Sequence, residues 1–173
     1  TCEQALAAIA RPGIATVQIV LNAFRLKPLE RVLPAAVEAG VGIIARVPLA
    51  SGLLSRRYGE STTFAADDHR TFNRHGEAFD VGETFSGVPF DVGVRAARQL
   101  AAMAPEGVSA STSALRWVLD QNGVSVAIPG ARNIPQVRAN AAAADLPSLN
   151  VHLLEGVRAV YEESIREHVH DRW

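Results

Sequence analysis

Residues 128–140 read Ile-Pro-Gly-Ala-Arg-Asn-Ile-Pro-Gln-Val-Arg-Ala-Asn, and the chain on either side is organised around them. Upstream, Val124, Val126 and Ile128 alternate with Ser125 and Ala127 after the turn Asn122-Gly123, the pattern with which a short strand opens. Pro129 and Gly130 end that strand, because proline has no amide hydrogen for a ladder and glycine readily takes backbone angles a ladder does not use. Downstream, Asn133 followed by Gln136 has the residue types of an N-terminal capping box, so a helix leaves the turn.

A strand that ends in a glycine-containing turn and feeds a helix gathers free backbone amides and the positive end of a helix dipole at one point, where anions fit. Arg132 lies beside those amides and can fork two hydrogen bonds onto a phosphate, at about 1.5 to 3 kcal/mol for each charge-assisted bond. Gln136 and Asn140 stand one helical turn apart on the same face. Taken singly, Gln136 reads as a cap for its own helix, Arg132 as a solvated charge and Asn140 as a helix-surface amide. Their combination in one turn is what indicates an anion site.

With 173 residues, 48% of them hydrophobic, and a formal charge of -1, the chain has the composition of a soluble globular polypeptide of about one domain. The near-neutral balance, with no block of like charges, argues against nucleic acid or a membrane surface as the main partner. No apolar run approaches the roughly 18 residues that span a bilayer and no secretion signal opens the chain, so a cytoplasmic location is expected. The single Cys2 cannot form an internal disulfide and has no visible partner for thiol catalysis. Thr1 is not a methionine and leads at once into a stretch that reads as the end of a helix, Glu3 to Ala10, so the chain is expected to be a piece of something longer.

In chain order, Arg11-Pro12-Gly13 is a breaker, and Ala15 to Leu21 is a strand-like run interrupted by Gln18. A helix is expected over Leu29 to Ala39, with Leu29, Val32, Leu33, Ala36 and Val37 in one stripe and Gly40 as its stop. Val41 to Val47 is a second strand, nearly all apolar as in a covered parallel sheet, but with Arg46 near its end. A long polar loop runs from about Arg56 to Pro89, of the kind that binds something or covers a site. Helices are expected over Phe90 to Met103 and Ser111 to Gln121, the latter with Ala114, Leu115, Val118 and Leu119 on one face. The last runs from Val151 to Glu167, capped by Asn150 and striped by Leu153, Leu154, Val157, Val160 and Tyr161. Strands alternating with helices imply right-handed βαβ units on a parallel sheet, an α/β fold whose functional face is the carboxyl end of the strands. The absence of G-x-G-x-x-G counts against a Rossmann dinucleotide fold.

Three segments together resemble the sixth, seventh and eighth strand units of an aldo-keto reductase: Val17 to Asn22, Ala45 to Leu54, and Ile128 to Asn140. The resemblance covers nearly the whole chain and implies about three strands of a partial (β/α)8 TIM barrel, one incomplete domain over residues 1–173. It implies NADPH extended across the strand ends. Gln18 would bond the nicotinamide carboxamide, Pro48, Leu49, Ala50, Ser51, Gly52 and Leu53 would wrap the pyrophosphate, and Gly130, Arg132, Gln136 and Asn140 would hold the adenosine end, with Arg132 on the 2'-phosphate. Arg46 stands where family members usually stack an aromatic ring on the nicotinamide, and a planar guanidinium can also lie against a ring face. Ala139 stands where many members carry glutamate before the last asparagine, which weakens adenine recognition.

In such a reductase, hydride passes to the carbonyl carbon of an aldehyde or ketone while a tyrosine supplies the proton. The family's catalytic Tyr, Lys, Asp and His belong to the first half of the barrel, to which nothing here corresponds, so no catalytic residue is assigned on this chain. Tyr58 reads as a surface or packing residue and Tyr161 as core. Asp67, Asp68, His69 and His75 match no defensible metal-ligand spacing. His152, His168 and His170 read as solvated, Trp117 as packing and Trp173 as tail. The expected partners are a small carbonyl substrate and the missing amino-terminal half of the barrel, without which two sheet edges and one sheet face stay uncovered. The alternatives are a non-catalytic nicotinamide-nucleotide-binding regulatory module and an unrelated phosphate-binding barrel segment.

Overall fold

The computed structural model describes all residues from Thr1 to Trp173. Helix α1 (Cys2–Ile9) precedes strand β1 (Thr16–Val20), helix α2 (Val32–Ala39) connects it to β2 (Gly42–Arg46), and β3 (Val124–Ile128) completes a parallel sheet of order β1-β2-β3. Between β2 and β3 lie a one-turn α3 (His69–Phe72), α4 (Phe90–Ala102) and α5 (Ala110–Leu119). After β3 come α6 (Ile134–Ala141), α7 (Val151–Val160) and α8 (Arg166–Val169).

The register sets which residues share a face. Val17 pairs with Ile43, and Ile19 with Ala45, on the side the helices cover, where Val17, Ile43 and Ala45 are buried. Gln18 pairs with Ile44 and Val20 with Arg46, and these in turn meet Val126 and Ile128 on the opposite side. That side has no helix over it, and Val126 and Ile128 are 42% and 45% exposed. Parallel sheets are ordinarily covered on both faces. This one is covered by helices on one face and largely open on the other, where Val126 and Ile128 are exposed while Val20 at the end of β1 is buried.

Several elements depart from what the sequence pattern predicts. α1 spans Cys2–Ile9, with Thr1 and Gln4 forming a capping box at its first turn. The stretch expected as one helix from Leu29 is a 3-10 turn, Lys27–Leu29, followed by α2, which Gly40 terminates in the left-handed conformation at φ 65°. Val37, placed in the core stripe by periodicity, is 47% exposed and lies where a side chain on Gly123 would stand. In α5 the buried face is Ser113, Leu115, Trp117 and Val118, while Ala114 and Leu119 are only partly covered. The last helix is interrupted by a π-turn over Tyr161–Ile165, and Tyr161 and Ile165 are both fully buried.

The long loop of residues 56–89 has a small core of its own. Tyr58, Phe64, Phe85 and Phe90 pack as a cluster of tilted and edge-to-face rings, with centroids 5.0 to 6.4 Å apart. The Arg70 guanidinium stacks 4.3 Å from Phe64 and that of Arg74 4.8 Å from Phe90. Asn73, fully buried, donates to Thr84 Oγ1 at 3.0 Å and accepts from the amides of Ala78 and Phe79 at 2.9 and 2.7 Å. One asparagine thus closes the loop on itself.

Candidate cofactor site

Gln18 and Arg46 stand on adjacent strands and on the same face, Gln18 in the middle of β1 and Arg46 at the carboxyl end of β2. They line one cavity of about 510 Å³ together with Asp80, Glu83, Tyr161 and Trp173. Arg46 does not extend freely into it. Both its terminal nitrogens pair with both Glu83 oxygens, Nη1 donating to Oε1 at 2.8 Å, and both side chains are about one-third exposed. Glu83 sits on the 3-10 turn Val81–Glu83 of the long loop, so the loop reaches back to the sheet at this pair.

Beyond β2 the backbone is forced into unusual conformations. Val47, Ala50 and Ser51 have φ of 53°, 48° and 55°, and Gly52 follows at 93°. A β-branched residue at positive φ is an outlier, and each such non-glycine position costs about 1 to 3 kcal/mol, so the surroundings must enforce it. Asn22 does so from zero exposure: its Nδ2 donates to Val47 O at 2.9 Å and Ser86 Oγ at 2.8 Å, and its Oδ1 accepts from Phe24 N at 2.9 Å. Ser51 Oγ accepts from Phe85 N at 3.0 Å. Pro48, Ala50 and Leu53 are buried, while Leu49, Ser51 and Gly52 stay partly open.

Beyond β3 the turn is open. Asn133 Oδ1 accepts from Gln136 N at 3.0 Å and caps α6 as the sequence predicts. Gln136 Oε1, however, accepts from Arg132 N at 2.7 Å, one residue before the position a capping box uses, so one of the amides expected to be free is occupied. Asn140 Nδ2 donates to Gly130 O at 3.3 Å. Two hydrogen bonds thus pair Arg132 with Gln136 and Gly130 with Asn140 at the same strand exit. The Arg132 side chain is 78% exposed, with only Asp68 near it at 3.9 Å, and the space beside Gly130 is open to at least 4 Å. A guanidinium facing solvent, amide side chains around it and open space beside a glycine fit a bound phosphate.

Around the cavity, groups that read as solvated or as tail are docked. His170 is buried, its Nδ1 2.9 Å from Tyr161 Oη and its Nε2 3.3 Å from Glu30, because the π-turn brings α8 back over Tyr161. Burial pushes the Tyr161 hydroxyl up to about 12, so it is a core hydroxyl and not an acid at neutral pH. Trp173 donates its indole hydrogen to Asp80 Oδ1 at 3.0 Å and stacks under the Arg25 guanidinium at 3.9 Å. A side chain on Gly82 or Gly87 would stand 2.7 or 2.5 Å from that indole, so both positions must be glycine for the ring to lie there. Desolvation lowers Arg25 to about 10. Asp68 is spent on Arg70, whose hydrogen bonds hold its carboxyl well below the usual carboxylate range. No group of three or more His, Cys, Asp or Glu is arranged to hold a metal ion. Sequence reasoning assigned no site-building role to Asn22, although it ends one of the segments that carry the resemblance, nor to Glu83 or Trp173, which no local pattern marks.

A sequence model of the Aldo/keto reductase family matches residues 3–161. The aldo-keto reductase YhdN of Bacillus subtilis (strain 168) is 32% identical over 126 residues, which are 72% of this chain and 35% of that protein. Among solved structures, the glycerol dehydrogenase AKR11B4 from Gluconobacter oxydans matches with a TM-score of 0.70 and 27% identity, over 92% of this chain and 44% of that one. The apo and holo forms of aldo-keto reductase AKR11C1 from Bacillus halodurans share the fold at a TM-score of 0.64 and 20% identity, over 96% of this chain and 48% of theirs. The chain spans about a third to a half of the length of these relatives, so its parallel sheet is part of a (β/α)8 barrel. With the family match running from residue 3 to residue 161, across all three strand exits, this chain belongs to the aldo/keto reductase family.

Proposed function

We propose that this chain is the carboxyl-terminal, cofactor-holding portion of an NADPH-dependent aldo-keto reductase that reduces aldehydes or ketones to alcohols in the cytoplasm. The observation that carries the reading is the placement of Arg46, the 48–53 turn and the 130–140 turn at the carboxyl ends of neighbouring parallel strands, with Gln18 on the same face in the middle of the adjoining strand. The open sheet face and the fraction of each relative that the chain covers support an amino-terminal half as its partner in closing the barrel. No helix is long and apolar enough to cross a membrane.

In this reading Gln18 orients the carboxamide of the nicotinamide, and the 48–53 turn lies along the pyrophosphate with Pro48, Ala50 and Leu53 anchoring it from below. Arg132 grips the 2'-phosphate, with Gln136 fixing the backbone from which its side chain springs. Nicotinamide, when bound, supplies hydride to the carbonyl carbon. The group that protonates the oxygen comes from the other half of the barrel, since Tyr58 is packed against Phe64 and Tyr161 is buried.

The test is charge reversal at Arg132 in the full-length protein. Arg132→Glu is expected to lower the preference for NADPH over NADH by about 100-fold, the worth of two charge-assisted hydrogen bonds to the 2'-phosphate. A preference left unchanged overturns the assignment.

A further inference from the structure

The Arg46–Glu83 pair carries no net charge at a place where an unpaired arginine would stand out. Arg46 ends the central strand on the open face, and its guanidinium is fixed by two parallel bonds to one carboxylate. Glu83 is itself held from both sides. Asp80 Oδ1 accepts from Gly82 N at 2.8 Å and from Trp173 Nε1 at 3.0 Å, and Ser51 Oγ bonds Glu83 O at 3.4 Å and Phe85 N at 3.0 Å. The carboxylate is thus placed at Arg46 by the loop, the docked tail and the turn after β2 together. The other charged groups lining the cavity are Arg25, Lys27 and Asp80. Arg25 is already covered by Trp173, and Asp80 is engaged by that same indole.

The two redox states of nicotinamide differ by one charge on the ring: the oxidised ring is a cation and the reduced ring is neutral. A bare guanidinium beside that ring repels only the oxidised form, whereas a guanidinium neutralised by carboxylate treats the two alike. We propose that Glu83 neutralises Arg46 so that the nicotinamide end of the site holds NADP+ and NADPH with comparable affinity, making Glu83 a positioning and charge-balancing residue on the 56–89 loop. The proposal rests on the reading above that nicotinamide lies against Gln18 and Arg46. It adds that the loop sets the balance between the oxidised and reduced cofactor, a property distinct from the phosphate recognition assigned to Arg132.

The experiment is calorimetric titration of the full-length protein with NADPH and, separately, NADP+, for wild type, Glu83→Gln, Arg46→Met and the double variant. Glu83→Gln is expected to weaken NADP+ about tenfold relative to NADPH, a modest figure because the site is partly solvated. Arg46→Met, which leaves the carboxylate alone, is expected to move the ratio the other way, and the double variant to return it to within about twofold of wild type. Equal changes in both affinities, or none, in Glu83→Gln and Arg46→Met overturn the proposal and leave Glu83 a loop fastener. Should Glu83→Gln fail to fold, the opposite-sign shift in Arg46→Met decides alone. A wild-type protein that binds neither form would instead overturn the cofactor reading itself.

Discussion

The turn after β2 and the turn after β3 leave the same end of the same sheet and are built in opposite ways. The first runs through positive φ at Val47, Ala50 and Ser51 and is pinned by Asn22, a side chain with no exposure at all. In the second every residue from Gly130 to Pro135 is exposed, and its shape rests on three polar side chains, Asn133, Gln136 and Asn140. Strain of the first kind persists only where packing over-determines it, so that turn is organised before any ligand arrives. The second is held by exposed hydrogen bonds worth little to the fold, and its guanidinium is left for a ligand. Substitutions in the first should therefore register in stability, and substitutions in the second in binding.

The largest effect expected from this contrast is at Asn22. Asn22→Ala removes three hydrogen bonds and leaves the Val47 carbonyl, the Ser86 hydroxyl and the Phe24 amide without the partner each now has. Leaving buried polar groups unpaired costs about 1 to 3 kcal/mol each, so a loss of about 3 to 5 kcal/mol is expected by thermal or urea unfolding of the full-length protein. A variant within about 1 kcal/mol of wild type would mean that the strained turn is self-supporting and that the contrast fails.

A smaller effect is expected where the long loop approaches the second turn. Asp68, on the long loop, bonds Arg70 through both oxygens and lies 3.9 Å from Arg132. Arg70 is buried among the loop aromatics, and Asp68→Asn removes its counter-charge, at a cost of about 2 kcal/mol. The hydrogen bonds from Arg70 hold the Asp68 carboxyl below its unfolded value, which is about 3.9. The folded value being the lower, this stabilisation is complete above that unfolded value and is lost as pH falls from there through the folded one. Thermal unfolding scanned below about pH 4 should show wild type losing this increment and Asp68→Asn lacking it. Parallel acid profiles for the two proteins would assign the loop's stability to the aromatic cluster instead.

What was legible in the sequence was whatever a local period or a local steric rule controls. Strand β3 falls on Val124–Ile128 as alternation predicts, Gly40 stops α2, and Asn133 and Asn150 cap their helices. The strand ends that gather the candidate site were legible for the same reason. The turn at Arg132 was legible in residue type but not in its bonding, because which of two neighbouring amides the Gln136 side chain reaches depends on the local backbone path and not on residue type. Long-range pairs were not legible. His170 reaches Tyr161 through a π-turn, Glu83 reaches Arg46 across 37 positions, and Trp173 reaches Asp80 across 93. Nothing around Gly82 or Gly87 in the sequence says that an indole from the other end of the chain will lie on them. The stretch 56–89 read as a polar loop that binds something or covers a site, and its own small core was not legible because its aromatics have no helical or strand period; they pack on one another, with Arg70 and Arg74 stacked against them.

The smallest effect on stability, and the sharpest separation of the two turns, is expected at Gln136. Its carbonyl accepts from the Arg132 amide in an exposed position, where water can replace it, so Gln136→Ala should cost about 0.5 kcal/mol in unfolding. The same change frees the backbone that carries the Arg132 guanidinium, and with it the orientation of the forked contact to phosphate. Affinity for NADPH should fall several-fold, while affinity for NADH, which has no 2'-phosphate to contact, should hold within about twofold. Gln136→Glu keeps an acceptor for the Arg132 amide but adds a negative charge next to the phosphate, so it should preserve stability and lower NADPH affinity further than alanine does. If both variants instead lose stability in step with Asn22→Ala, the two turns are one cooperative unit, and the open turn is as much a part of the scaffold as the buried one.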